Sequence, residues 1–425
     1  MTTVAPQPLS ADFWKFWAGQ TISNLGTSIT LFALPLLVYQ LTGSALNLGL
    51  TFGIGMLPYL FFGLIIGAWV DRVDRKRLMI AVDTLQALFV ASIPALALVG
   101  ALQLWWLYVV VFCTGVLNVC FQAAEFAAIP SLVPHADLVT ANGRIQASYS
   151  AATVVGPLLG GLLIGFIPAY DLLFLDAASF AISAVCLGLI RRRFNSEGPP
   201  RTSSIMADIG EGLRYVWGHP VLRNISLMMA LVNLVSTTVF AQLVLFVTER
   251  YGASEAQVGL FFSAGSVGVV LLSLAAGPLR RRFGFSTVAL GALTLSGILT
   301  VAMALTPWYW LGLPIWALSM GLGILFNINT GSLRQAIVPG HLLGRVISVA
   351  MVIAWSANPI GALLGGLAIE RSGNVALVYA VIGVVTTLIP LAFALTPLGR
   401  AEQYIPAAAP GAVNPDIEEH AVARA

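Results

Sequence analysis

Asn118, Gln122 and Glu125 fall at i, i+4 and i+7 of one long apolar segment. A helix would carry all three on a single face. An amide can grip a neutral polar solute, and a carboxyl can bind a proton or attract a cation. On an otherwise apolar membrane helix such a stripe faces a bundle interior or a water-filled cavity, because hydrocarbon solvates neither group. Glu125 is therefore a candidate coupling acid. The alternative is a structural acid at a helix mouth, paired with Arg144 or Arg334. Asp83 and Asp176 are lone acids in further apolar segments. Ion pairing is the first reading of each, Asp83 with Arg77 for example, and proton coupling is the second.

Other chemistries lack their residues. His135, His219, His341 and His420 stand in loops or the tail without metal-ligand spacing. Cys113, Cys120 and Cys186 are an odd set within apolar runs and read as small buried hydrophobes. No Ser-His-Asp or Cys-His arrangement is visible. The two lysines, Lys15 and Lys76, follow no phosphate-binding glycine loop. We therefore expect no metal, no cofactor and no catalytic residue. Energy for any vectorial work has to come from an ion gradient or a partner.

The elements that must position these side chains are membrane helices. Of 425 residues, 58% are hydrophobic and 9% charged, against about 25% charged in soluble domains. The apolar runs are about 20 residues long and lack period-2 alternation, which favours an all-α bundle over a barrel. No basic patch interleaved with aromatics points to nucleic acid. The first apolar run has no cationic region before it and is expected to be an uncleaved membrane helix, not a signal peptide. Breaking the chain at charges and turn residues predicts twelve spans, at 13–41, 46–70, 78–100, 104–128, 145–168, 171–190, 222–248, 256–279, 285–305, 308–331, 345–370 and 374–396. The domains expected are a tail (1–12), a six-helix bundle (13–190), a linker with a short amphipathic helix (191–221), a second bundle (222–396) and a disordered tail (397–425).

Charge orients the bundle. The seven residues from Asp71 to Arg77 hold four cations and two acids between two apolar runs, and a single charge at mid-bilayer costs about 2.5–3.5 kcal/mol on insertion scales. With twelve spans, all 21 cations except Arg250 and Arg371 fall on the face that carries both termini. The positive-inside rule makes that face cytoplasmic. The halves also repeat: at a shift of 205, Gly156-Pro-Leu-Leu-Gly-Gly-Leu162 meets Gly361-Ala-Leu-Leu-Gly-Gly-Leu367, and Gln122 meets Asn327. A duplicated six-helix unit is a transporter architecture. Gly156, Gly160 and Gly161, like Gly361 and Gly365, are expected to let helices approach closely, and Pro157 can kink its helix.

These features resemble the major facilitator superfamily. Gly67, Asp71, Arg72, Arg75, Lys76 and Arg77 match its signature after the second helix, with Asp74 in place of the second glycine. Gly156-Pro157-x-x-Gly160-Gly161 is similar to the signature of its exporters. Leu41-Thr-Gly-Ser44, Ser23-Asn-Leu-Gly26, Ile129-Pro-x-Leu-Val-Pro134 and Ala141-Asn142 resemble the macrolide-efflux and enterobactin-exporter branch. Two departures stand out: Thr27 replaces a common acid in the first helix, and the fourth span has no arginine.

The resemblance implies two pseudo-symmetric six-helix bundles and alternating access. It implies export of a drug, macrolide or siderophore-like molecule, by proton antiport. The partners would be that small molecule, protons and the lipid bilayer, with no nucleic acid, and the protein would be a monomer in a bacterial-type inner membrane. It places Asp71 in a cytoplasmic gate near Arg345. It also places the first, fourth, seventh and tenth helices around the substrate. Asn24, Thr27, Asn118, Gln122, Asn233, Thr237 and Asn327 then polarise the cavity, with some of those on the first and seventh spans making interhelical hydrogen bonds instead; Trp355 reads first as packing and second as an aromatic wall. An uptake carrier of the same fold, or a non-transporting sensor or scaffold, would share most of these features.

Overall fold

The computed structural model describes residues 10–70, 73–133, 138–194 and 205–404. The first half comprises α1 (Ala11–Thr42), α2 (Ala45–Val70), α3 (Arg75–Leu98), α4 (Leu104–Leu132), α5 (Leu138–Leu163) and α6 (Leu172–Gly188). After α7 (Ile205–Gly218) the second half comprises α8 (Pro220–Ala241), α9 (Leu243–Tyr251), α10 (Glu255–Arg282), α11 (Phe285–Leu305), α12 (Tyr309–Ile337), α13 (Gly340–Trp355), α14 (Ala357–Ser372) and α15 (Val375–Ala394). The pairs α8/α9 and α13/α14 are single spans with a break, so the bundle crosses the bilayer twelve times, six in each pseudo-symmetric half. Ten of the spans are long and apolar enough to be recognised by composition alone. α6 has 17 residues, a rise of about 25 Å. α5 begins seven residues earlier than expected and takes in Asn142 and Arg144.

Local chemistry sets the ends. The Ser10 hydroxyl accepts from the Phe13 N–H at the start of α1. Asp74, in the signature's glycine position, instead caps α3 by accepting from the Arg77 N–H at 3.0 Å. Ser254 and Gln257 form a capping box on α10. Gly43, Gly252 and Gly373 end α1, α9 and α14 with φ near +60°, a conformation that costs glycine nothing. The break after Trp355 follows from Pro359, which has no N–H for the Trp355 carbonyl. No proline marks the other break. Gln242 leaves helical geometry there (φ −104°, ψ 12°), and its buried side chain crosses to α2 and donates to the Ala45 carbonyl at 2.6 Å.

The cations at one end of the bundle close off helix C-termini, where the free carbonyls carry partial negative charge. The Lys76 Nζ donates to the carbonyls of Gly188 and Ile190 after α6. Arg192 reaches those of Ser131 and Leu132 at the end of α4, and Lys15 that of Leu189. Arg75 donates to the Phe194 carbonyl. Pro397–Tyr404, expected to be disordered tail, forms a short 3-10 turn. Leu398 and Ala401 are buried there, and the Glu402 carboxylate accepts from the Ser286 N–H and hydroxyl. The expected tails at 1–9 and 405–425 lie outside the described residues.

The two halves separate at the basic end and merge at the other. Near the basic end each half has its own apolar core, one around Phe16, Met79 and Phe121, the other around Ile225, Phe285 and Phe326. At the remote end one core runs through both halves, from Phe32 and Leu37 to Phe246, Phe261 and Tyr379. There α2 packs on α14 and α5 on α10. α13, the basic-end portion of the same span as α14, packs mainly on α7 and α8. Cross-half polar contacts reinforce the closed end: Ser44 Oγ and the Leu46 N–H donate to Glu370 Oε2 at 2.9 and 3.2 Å, and Gln40 donates to Glu255.

The duplicated glycines take different partners by position. A Cβ at Gly156 or Gly160 would strike Ser28 or Phe32 of α1, within the same half. At Gly361 or Gly365 it would strike Leu234 or Thr238 of α8, again within one half. The following glycine of each motif faces the other half: Gly161 abuts Ala256 and Gly259, and Gly366 abuts Ala45. The two motifs thus seal both flanks of the closed end, and Gly259 packs directly under the Pro157 carbonyl.

Candidate functional site

The cleft between the halves is walled on one side by α2 and α4. The Asn118 and Gln122 amides both donate to the Tyr59 hydroxyl of α2, at 2.9 and 3.1 Å. The Tyr59 ring meets Trp355 of the second half edge-on, at 6.3 Å between centroids. Trp355 remains 44% exposed, so it presents an aromatic face as well as a contact. On the second half Asn233 donates to the Ala354 carbonyl at 2.8 Å, beside the broken span. Thr237 donates to the Asn358 amide oxygen at 2.8 Å. Asn327 is exposed, as is Gln122, its counterpart in the repeat, and Asn24 is half-buried. The cleft thus offers amides and aromatic rings, and among these lining groups no charge.

Tyr59 joins the expected residues into one wall, and nothing in its apolar segment singles it out. Its signal in the sequence is faint: an aromatic with a polar tip directly after Pro58. Tyr59→Phe is expected to change stability by no more than about 1 kcal/mol, because cleft water can replace the lost acceptor. A thermal-shift comparison in detergent checks this. A large drop would make the hydroxyl a structural staple and not a cleft group.

Thr27 leaves the expected cavity. With Thr30 it turns to α6, where the two hydroxyls donate to Asp176, Thr30 to Oδ2 at 2.5 Å and Thr27 to Oδ1 at 3.5 Å. Ser179 adds a third at 3.2 Å. Asp176 is 1% exposed, and among the described residues its polar side-chain partners are hydroxyls. Asp83 is also 1% exposed. It lies against Ser183 and within electrostatic range of Glu125, and its Oδ2 is buried without a partner. Gln20 donates to the same Ser183 at 3.2 Å, and Gln86 is buried nearby on α3. A polar seam therefore runs inside the first half between α1, α3 and α6, beside the cleft.

The expected ion pairs do not form. Arg77 points outward and approaches Asp74 instead of Asp83, at 3.7 Å. Arg144 stacks on Trp14, and Arg334 contacts the Met229 sulfur. Among the described residues Glu125, Asp83 and Asp176 have no cation partner.

The expected gate is only partly described. Gly67 lies in the last turn of α2, while Asp71 and Arg72 lie outside the described residues. Arg345 forms an ion pair with Glu211 of α7, and Gly212 packs on the Arg345 carbonyl. Cys113, Cys120 and Cys186 are free thiols.

Corresponding positions of the second half keep the seam's geometry without its acids. Gln86 and Ser296 are each the twelfth residue of their helices, α3 and α11. Ser183 and Thr386 are each the twelfth of α6 and α15. Asp83, ninth in α3, is matched by Leu293, ninth in α11.

Twelve spans in two pseudo-symmetric halves around a cleft that offers amides and aromatic rings define a transporter of the major facilitator superfamily. Within it, the chain belongs to the transmembrane secretion effector family, whose model matches residues 2–421. It is 30% identical over 394 residues to the multidrug efflux pump Tap of Mycolicibacterium fortuitum, covering 87% of this chain and 93% of that protein. It is 27% identical over 372 residues to macrolide efflux protein A of Streptococcus pyogenes, covering 85% and 90%. In fold it is similar to the nucleoside transporter NupG, with a TM-score of 0.76 at 14% identity over 93% of this chain and all of that one. It is also similar to an inward-facing bacterial homologue of the lysosomal transporter Spinster, with a TM-score of 0.72 at 15% identity over 93% and 97%.

Proposed function

We propose that the protein exports neutral or cationic amphipathic small molecules by alternating access, driven by proton antiport. The multidrug and macrolide efflux functions of the relatives support the direction and the substrate class. The cleft supports the class independently: amides and the Tyr59–Trp355 pair suit an apolar body with a few polar groups, whereas an anion would call for arginines. The positive-inside rule supports a cytoplasmic basic end, so the cleft as described opens to the cytoplasm, where an exporter collects its cargo.

The observation that carries proton coupling is the pair Asp83 and Asp176. Each is buried in an apolar bundle and has no counter-charge among the described residues. A carboxyl in such a place binds and releases a proton as its hydration changes, and Glu125 of α4 lies within electrostatic range of Asp83. Opening the remote end would move α1 and α6 relative to the second half and alter that hydration.

The test is transport in inside-out membrane vesicles with an acidic lumen. A macrolide or a cationic dye is expected to accumulate in the lumen, and a protonophore to release it. Accumulation confined to right-side-out vesicles would make the protein an uptake carrier. Accumulation indifferent to the protonophore would remove the proton from the mechanism.

A further inference from the structure

The second half holds a cavity of about 180 Å³ between α8, α11, α12 and α15, which shares Asn233 and Asn327 with the cleft but has neither Tyr59 nor Trp355 in its lining. Its apolar lining includes Met229, Leu293, Met320 and Phe326. Its polar lining is hydroxyl and amide only: Asn233, Ser236, Ser296, Thr300, Ser319, Asn327 and Thr386.

Some of these groups are already committed. Thr300 donates to the Ser296 carbonyl at 2.9 Å, the Ser296 and Ser319 hydroxyls share a hydrogen bond at 3.0 Å, and Asn233 donates to Ala354. The Thr386 hydroxyl is buried with no partner, and the Asn327 amide makes no hydrogen bond among the described residues. A buried hydroxyl without a partner is costly. It marks a position that a ligand oxygen would complete.

We propose that this cavity is a subsite for a neutral, hydroxyl- or ether-bearing ring of the transported molecule, sugar-like in chemistry. Size sets the first limit: pockets that hold whole drug-sized ligands measure roughly 300–1,000 Å³, so this one admits a single ring while the apolar body stays in the cleft. Charge sets the second. No lining side chain is ionised, and an ion buried there would lose its hydration without a counter-charge. Arg334 touches Met229 but does not line the cavity. Ser, Thr and Asn supply both donors and acceptors, the pattern that vicinal hydroxyls need. Asn327 and Phe240, both exposed, stand at the mouth, so the ring would enter from the cleft.

The inference rests on the export reading for the identity of the cargo, but its test measures binding alone. A macrolide carrying a neutral sugar is compared with the same macrolide after that sugar has been hydrolysed off, by tryptophan fluorescence on the full-length protein in nanodiscs. The sugar-bearing form is expected to bind the wild type about tenfold more tightly, the worth of one or two neutral hydrogen bonds. Thr386→Val and Ser296→Ala are each expected to shrink the ratio to about threefold or less. Thr386→Ser, which keeps the hydroxyl, is expected to restore it and serves as the folding control. Equal affinities in the wild type, no binding of the sugar-bearing form, or an unchanged ratio in both variants would overturn the subsite. Vesicle transport without this discrimination would sink the subsite and leave export standing. Discrimination without transport would do the reverse.

Discussion

Gly366→Leu is expected to stop transport by holding the remote end open. A Cβ at this position would come within 2.8 Å of the Ala45 carbonyl, and a leucine adds three further carbons to that Cβ. Overpacking of this kind costs about 1–3 kcal/mol. The cost falls only on the conformation in which α2 and α14 touch. Separation of the halves relieves it, so the equilibrium shifts by about 5–150-fold toward the conformation open at that end. Gly365→Leu is the contrasting case. Its Cβ would strike Thr238 of the same half, which stays together in every conformation, so the expected result is less folded protein without a change of access.

The measurement is labelling of a single cysteine at Phe52, whose ring now meets Phe240 across the seam at 6.0 Å. Cys113, Cys120 and Cys186 are first replaced by alanine, and the maleimide used does not cross the membrane. Faster labelling from the remote side in Gly366→Leu, but not in Gly365→Leu, is the expected outcome. Equal rates would show that the glycine seam does not control access. The duplicated partner, Gly161→Leu, should behave alike, since it meets Ala256 and Gly259 across the other flank.

Asp176→Asn is expected to uncouple transport from the proton gradient. The amide keeps the shape of the carboxyl and an oxygen for Thr30, so the bundle should still fold. Among the described residues no charged side chain acts on this position. Its polar environment is Thr27 and Thr30 from α1 and Ser179 from its own helix. Gradient-driven accumulation in inside-out vesicles should fall by about 5–150-fold, the range of coupling free energies between linked sites. Exchange of substrate down its own gradient should survive, because the cleft is untouched. Asp83→Asn separates two roles for the first-half acids. If it behaves like Asp176→Asn, the seam acts as one relay. If only Asp176→Asn uncouples, Asp83 is structural. Retained, gradient-sensitive accumulation in both variants would leave Glu125 as the remaining coupling acid.

The helices were legible because charge and apolar length mark their ends: the charges from Asp74 to Arg77 mark the start of α3, and the span expected at 285–305 is α11 to the residue. Of the two broken spans, the one near Pro359 carries a mark in the sequence and the other does not. Gln242 is neither glycine nor proline, and the reason for its break lies in Ala45, some 200 positions away in the chain. The site was half legible. Asn118 and Gln122 share a face by spacing alone, but what they face depends on Tyr59, which only helix packing supplies. Thr27 bonds across to Asp176 of α6, and spacing alone does not separate such an interhelical bond from a place in the cleft, because several faces of α1 are polar. The acids were visible as residues. Their lack of partners was not, because it depends on Arg77, Arg144 and Arg334 all turning elsewhere.

The matched twelfth residues of α6 and α15 bear on how such a pump changes over generations. One half keeps buried acids in its seam, and the other has a neutral hollow where an acid would stand. If the first powers the cycle and the second reads the cargo, substitutions at Ser296, Ser319 or Thr386 can widen or narrow the range of compounds expelled without touching the engine. Selection with a new compound should therefore enrich changes at Ser296, Ser319 and Thr386 and spare Asp83 and Asp176. Duplication of the ancestral six-helix unit would then have done more than build a symmetric channel. It freed one copy to drift in taste while the other stayed fixed to the energy source.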